Sequence, residues 1–136
     1  MDSTHRERLE ADRLLIVDDS LIVRNAIERS VADGRIGEVL RAEDGAGAVE
    51  LFREHRPEMV TMDLTMPKVN GLEAIRRIRE IEPEASILVI SALNSHKTAL
   101  EAIQRGACGF LTKPFTEREV VEALEQLAGH ARGRRV

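Results

Sequence analysis

Apolar residues follow two alternating rhythms along this chain. Short runs in which every position is apolar alternate with longer stretches in which apolar residues recur every three or four positions. The first run, residues 13–17, carries Leu14, Leu15, Ile16 and Val17 and stops at Asp18. With both faces apolar, it predicts a strand buried on both sides. Residues 21–31 follow, with Val23, Ala26, Ile27 and Val31 at helical spacing and Gly34 as a stop. Residues 38–42 predict a second, weaker strand. Residues 45–55 predict a helix, with Ala48, Val49, Leu51 and Phe52 apolar and Pro57 beyond its end. Residues 58–63 predict a third strand, again ending in a carboxylate, Asp63. Residues 71–81 predict a helix through Leu72, Ile75 and Ile78, closed by Pro83. Ile87-Leu88-Val89-Ile90 marks the clearest buried strand, 86–91. A helix over 95–105 ends at Gly106, and a short strand spans 109–112. The last helix is predicted over 116–127, with Thr116 and Glu119 in capping-box spacing.

Strand then helix, five times over with short connections, implies an α/β fold: a doubly wound parallel sheet with helices on both faces. Ligands of such sheets bind at the carboxyl ends of the strands, so the strand ends are where chemistry is expected. The first strand ends at Asp18-Asp19, the third at Asp63 and the fourth at Ser91; the fifth is followed by Lys113-Pro114. Each of these is ordinary turn or cap chemistry when met alone. Their joint occurrence at four strand ends points to one site. Three carboxylates placed together repel and need counter-charge. Lys113 supplies one positive charge, and a hard divalent cation would supply two more. An all-oxygen, carboxylate-rich site suits magnesium together with phosphate oxygens. A carboxylate can also be the nucleophile of phosphoryl transfer, giving an aspartyl phosphate. The adjacent Asp18 and Asp19 fit joint metal ligation, which leaves Asp63 as the acceptor.

Composition narrows the alternatives. The 136 residues fit one domain, expected over 13–128, with a charged leader over 1–12 and a basic tail over 129–136 that includes Arg132, Arg134 and Arg135. A net charge of −4 argues against a nucleic-acid binder. The single cysteine, Cys108, excludes an internal disulfide and a Cys-rich zinc site, and reads as packing or turn material. The start of the chain lacks the apolar core of a signal peptide, and no apolar run reaches the length of a membrane helix. A soluble, cytoplasmic protein is expected. With three phenylalanines and no Trp or Tyr, flavin or base stacking is disfavoured. The four histidines are scattered without ligand spacing, and no phosphate-binding glycine loop is present.

At the candidate residues the sequence resembles the receiver domain of two-component response regulators, and single-domain chemotaxis (CheY-like) receivers in particular. The resemblance spans residues 13–127. It rests on Leu15-Ile16-Val17-Asp18-Asp19-Ser20, Ala42-Glu43-Asp44-Gly45, Met62-Asp63-Leu64-Thr65-Met66-Pro67, the following Gly71, Ser91-Ala92 and Lys113-Pro114-Phe115. It implies a five-stranded, flavodoxin-like (βα)5 fold with strand order 2-1-3-4-5. It implies Asp63 as phosphoacceptor and Mg²⁺ held by Asp18, Asp19, Asp63 and the backbone carbonyl of Thr65. Lys113 would pair with the phosphoryl oxygens, Ser91 would swing to hydrogen-bond them, and Phe110 would turn inward as the switch aromatic. The Lys113-Pro114 bond would be cis. The phosphoryl donor would be a sensor histidine kinase or a histidine phosphotransfer protein. The output would pass through the fourth helix, fifth strand and last helix to a protein target, such as a flagellar motor switch protein, with no direct nucleic-acid or membrane contact. The chain would then be a signalling switch rather than an enzyme, catalysing only its own phosphoryl transfer and slow dephosphorylation.

Two positions depart from the family pattern. Phe110 lacks a tyrosine hydroxyl. Leu93, which with Thr65 occupies a position that tunes phosphoryl lifetime, cannot orient a water by hydrogen bonding, so slow self-hydrolysis is expected. Nine residues follow Leu127, too few for an effector domain, so the chain would act through a partner or be the receiver part of a larger regulator. A haloacid dehalogenase-like phosphatase would need a late acidic pair, and no Asp follows Asp63. A flavodoxin-like electron carrier would need aromatic contacts and a metal-free phosphate loop where Asp18-Asp19 stand. A purely scaffolding receiver would not need the complete residue set.

Overall fold

The computed structural model describes residues 11–66, 68–93 and 95–135, the segment 129–135 by its backbone alone. Strands β1 (Ala11–Val17), β2 (Ile36–Ala42), β3 (Met59–Met62), β4 (Ser86–Ser91) and β5 (Gly109–Thr112) alternate with helices α1 (Leu21–Ser30), α2 (Gly45–His55), α3 (Gly71–Ile81), α4 (His96–Arg105) and α5 (Glu117–Arg135). The sheet order is β2-β1-β3-β4-β5 and every pairing is parallel. The strand order implied by the sequence resemblance is therefore the order found.

Successive residues of a strand point to opposite faces, so each all-apolar run feeds two cores. Leu15, Val17, Val60, Met62, Ile87 and Val89 face Ala48, Val49 and Phe52 of α2, Ala74, Ile75 and Ile78 of α3 and Ala102 of α4. Leu14, Ile16, Met59, Leu88 and Ile90 face Ile27 of α1 and Val120, Leu124 and Leu127 of α5. The central strands have helices on both sides and no polar face, as their sequences require. No described helix is long and apolar enough to cross a membrane.

Local chemistry places every helix start at the carboxyl edge of the sheet. Ser20, Asp44, Asn70 and Ser95 cap α1 to α4, each accepting a hydrogen bond from the backbone N–H three residues on. At α5 the predicted capping box is present: Thr116 N–H donates to Glu119 (2.8 Å), and Glu119 N–H to Thr116 Oγ1 (3.1 Å).

Three boundaries differ from those predicted by two residues or more. β2 begins at Ile36, two residues early, because Ala11 already pairs with it in β1. A side chain at Gly37 would stand 2.8 Å from the Asp12 carbonyl oxygen. The glycine thus permits the close approach of the two strands. The proposed leader over 1–12 loses Ala11 and Asp12 to β1, and residues 1–10 lie outside the described residues. At the other end, the backbone of the proposed basic tail continues α5 as far as Arg135. Arginine and alanine are good helix formers, and cations suit a helix C-terminus.

Candidate functional site

The carboxyl edge gathers the residues picked out by the strand-end argument. Asp18 follows β1 directly and is 1% exposed; Asp63 follows β3 and is 4% exposed. Their backbones are tied to the sheet, Asp18 N–H donating to Ala42 O (3.1 Å) and Asp63 N–H to Val17 O (3.0 Å). Asp19 is exposed beside them. Asp18, Asp19 and Asp63 each offer a carboxylate oxygen, and these oxygens all lie within 4.8 Å of one another. Lys113, just past β5, donates from Nζ to Asp18 Oδ2 (2.7 Å) and stands 3.5 Å from Asp63 Oδ1. Its own N–H donates to Ser91 O (2.9 Å), which ties the fifth strand end to the fourth. The Lys113-Pro114 peptide is cis, as the resemblance implied.

Ser91 is fully buried at the end of β4, its Oγ accepting from Leu93 N–H (3.1 Å). It lies on the same edge but makes no hydrogen bond to the three carboxylates among the described residues. Thr65 is exposed in the segment after β3, and Phe110 in β5 is half-buried against the core under α2, α3 and α4. The segment after β3 is held by close approach to two glycines. A side chain at Gly71 would stand 2.2 Å from Asp63 O, and one at Gly45 would stand 1.9 Å from Val69 O. Gly71 N–H donates to Leu64 O (3.1 Å). These two glycines, noted in the sequence only as parts of motifs, let the backbone at Val69 and Asp63 come close to the starts of α2 and α3.

Charge sets the character of the site. Burial, then the neighbouring Asp18, push the Asp63 carboxyl above its ordinary value of 3.8, against the opposing pull of Lys113. Burial works to lower the Lys113 ammonium, but its hydrogen bond to Asp18 and the charges of Asp18 and Asp63 outweigh this and hold it above 10.5. Three carboxylates against one ammonium leave an excess of negative charge in a partly dry cleft. The donor set is hard oxygen throughout, and the exposed Asp19 leaves one side open to water. Both properties fit Mg²⁺, which keeps several waters and takes one or two carboxylates.

One neighbour went unnoticed in the sequence. Arg24 of α1 donates from Nη1 to the Asp18 carbonyl oxygen at 2.6 Å. A six-residue spacing between an arginine and a backbone carbonyl carries no periodic signal. Only the backward lean of helical side chains toward the N-terminus could have suggested it.

Comparison with known proteins agrees with this geometry. Residues 14–125 match the family model described as the response regulator receiver domain. The chain is 40% identical over 116 residues to the chemotaxis protein CheY of Bacillus subtilis, covering 85% of this chain and 97% of that one. Among solved structures, a LuxR-family two-component response regulator from Aurantimonas superposes with a TM-score of 0.79 at 36% identity, covering 89% of this chain and 86% of that one. The CheX-CheY-BeF3-Mg²⁺ complex from Borrelia burgdorferi matches with a TM-score of 0.82 at 28% identity, covering 85% of this chain and 88% of that one. Sheet order, strand-end residues and relatives agree: the chain belongs to the response regulator receiver domain family and is similar to the CheY chemotaxis proteins.

Proposed function

We propose that this receiver is a phosphorylation-controlled switch that accepts a phosphoryl group on Asp63 from a histidine kinase or a histidine phosphotransfer protein. The observation that carries the reading is the meeting of Asp63 with Asp18, Asp19 and Lys113 at one edge of the sheet. An oxygen of Asp63 attacks phosphorus; the P–N bond to the donor imidazole breaks as the P–O bond forms, and the imidazole leaves with the electron pair and takes up a proton. Asp18, Asp19, Asp63 and the carbonyl of Thr65 would hold Mg²⁺, which when bound supplies positive charge to the phosphoryl oxygens. Lys113, kept charged by its carboxylate neighbours, neutralises a further oxygen. The chain's task is positioning and charge balance, not turnover of an external substrate.

The new phosphoryl group adds charge and acceptor oxygens beside Ser91. The Ser91 hydroxyl turns to donate to it, the space it leaves draws Phe110 inward, and the face formed by α4, β5 and α5 changes. A partner that prefers one form of that face is recruited or released by population shift. Similarity to CheY favours a chemotaxis or motility target in the cytoplasm, such as a flagellar motor switch protein.

Radiolabelled acetyl phosphate tests the chemistry. The reading predicts Mg²⁺-dependent labelling that neutral hydroxylamine removes, as it does from an acyl phosphate. Label that survives hydroxylamine, or that forms equally well in EDTA, would contradict it.

A further inference from the structure

Every polar atom of Asp18 is engaged. Its N–H donates to Ala42 O, its Oδ1 accepts from Ser20 N–H (2.9 Å), its Oδ2 accepts from Lys113 (2.7 Å), and its carbonyl accepts from Arg24 (2.6 Å). Three of these partners are what the fold supplies anyway: a sheet bond, a turn bond and the pairing of the site lysine. The fourth is a side chain placed against local preference. Arg24 closes the first turn of α1, where the helix dipole disfavours a cation, and that turn holds no acidic residue to offset it. The guanidinium has no carboxylate partner among the described residues. It reaches back over the helix start to one backbone oxygen. A residue that breaks a local rule without a local gain is the kind expected at a functional site.

We infer that Arg24 is a positioning residue for the acidic site, fixing the peptide between Asp18 and Asp19 so that both carboxylates face one cation. The inference rests on the Mg²⁺ reading proposed above. The Asp18 carbonyl belongs to the peptide that leads into Asp19. Rotation of that peptide would swing Asp19, whose exposed side chain has no hydrogen-bond or ion-pair partner among the described residues, away from the buried pair. A short, charge-assisted hydrogen bond on the carbonyl resists that rotation. Groups that orient ligands from behind in this way govern metal affinity without touching the metal.

The sign of the effect separates this role from two simpler ones. If Arg24 acts only as a positive charge near the site, its removal strengthens cation binding. If it only stabilises α1, its removal lowers the melting temperature and leaves cation binding unchanged. If it positions the ligands, its removal weakens binding. The chain has no Trp or Tyr, so titration calorimetry with MgCl2 is the suitable readout. Arg24→Met should weaken Mg²⁺ binding on the order of tenfold. Arg24→Lys, which keeps the charge and one donor but loses the fork, should fall between Arg24→Met and the native chain. Labelling of Arg24→Met by acetyl phosphate should be slow at low Mg²⁺ and recover at saturating Mg²⁺, a split that a damaged fold would not give. Native-strength or tighter binding in Arg24→Met overturns the inference. If that variant does not fold, native-strength or tighter binding in Arg24→Lys overturns it equally. A native chain that takes up no Mg²⁺ would instead bring down the metal reading itself.

Discussion

At Asp63, burial works against the charge that phosphoryl transfer requires. Its carboxyl is held above 3.8 by desolvation and by Asp18, so the folded chain keeps that proton to a higher pH than the unfolded chain does. Between 3.8 and the raised value the folded state binds more protons, and stability falls as pH rises through that window. At neutral pH the metal-free protein carries the full cost of the ionised group. Asp63→Asn, measured in EDTA, should therefore melt at a higher temperature than the native chain at pH 7, with the gap closing as pH drops below 3.8. A lower melting temperature at pH 7 would mean that the pairing with Lys113 outweighs desolvation. Lys113 has the same sign of pH dependence in a higher window, but is stabilising at neutral pH: its ammonium, raised by Asp18 and Asp63, contributes stability below 10.5 that is lost as pH rises through its folded value. In the proposed switch, Leu93 would act on a different step, the loss of the phosphoryl group. It stands 47% exposed beside Ser91, with no group to hold a water. Leu93→Gln should shorten the lifetime of the phosphorylated protein several-fold, followed as decay of the labelled species. An unchanged lifetime would remove Leu93 from that role.

Among the elements, the buried strands were the most legible, because an all-apolar run such as 87–90 has few other places to go. Strand ends were legible for a related reason: a carboxylate closing an apolar run marks where the strand stops, although Asp18 and Asp63 themselves stay buried. The elements least legible were those decided by backbone contact. The early start of β2 depends on Gly37 lying against Asp12, and Arg24 has no signature until α1 is built. The reach of α5 past Leu127 was hidden by Gly129 and Gly133, which helices tolerate at a cost of about 1 kcal/mol each. Gly71 shows how a motif letter becomes geometry. Its missing side chain lets α3 start against the Asp63 carbonyl, and Gly71→Ala would force the two apart. That variant should lose about 1–3 kcal/mol of stability in urea titrations and label more slowly with acetyl phosphate, since the backbone it displaces carries Asp63 and Thr65. Native labelling with native stability would show that the segment relaxes freely.

The molecule as a whole separates support from chemistry. Two apolar cores flank the sheet, while the site lies along one edge where loops can carry charge without breaking either core. Phe52 is fully buried in the core under α2, α3 and α4. Phe52→Ala should cost about 3–5 kcal/mol in urea titrations, while the fraction still folded should label at the native rate. Loss of labelling out of proportion to unfolding would mean that core and edge are more tightly coupled than this architecture implies. The central claim is that this architecture delivers a phosphoryl group to Asp63. Its most direct test is the intact mass of the native chain and of Asp63→Asn after incubation with acetyl phosphate and Mg²⁺. One phosphoryl adduct on the native chain and none on Asp63→Asn is the predicted result. An adduct that persists in Asp63→Asn, or none on the native chain, would contradict it.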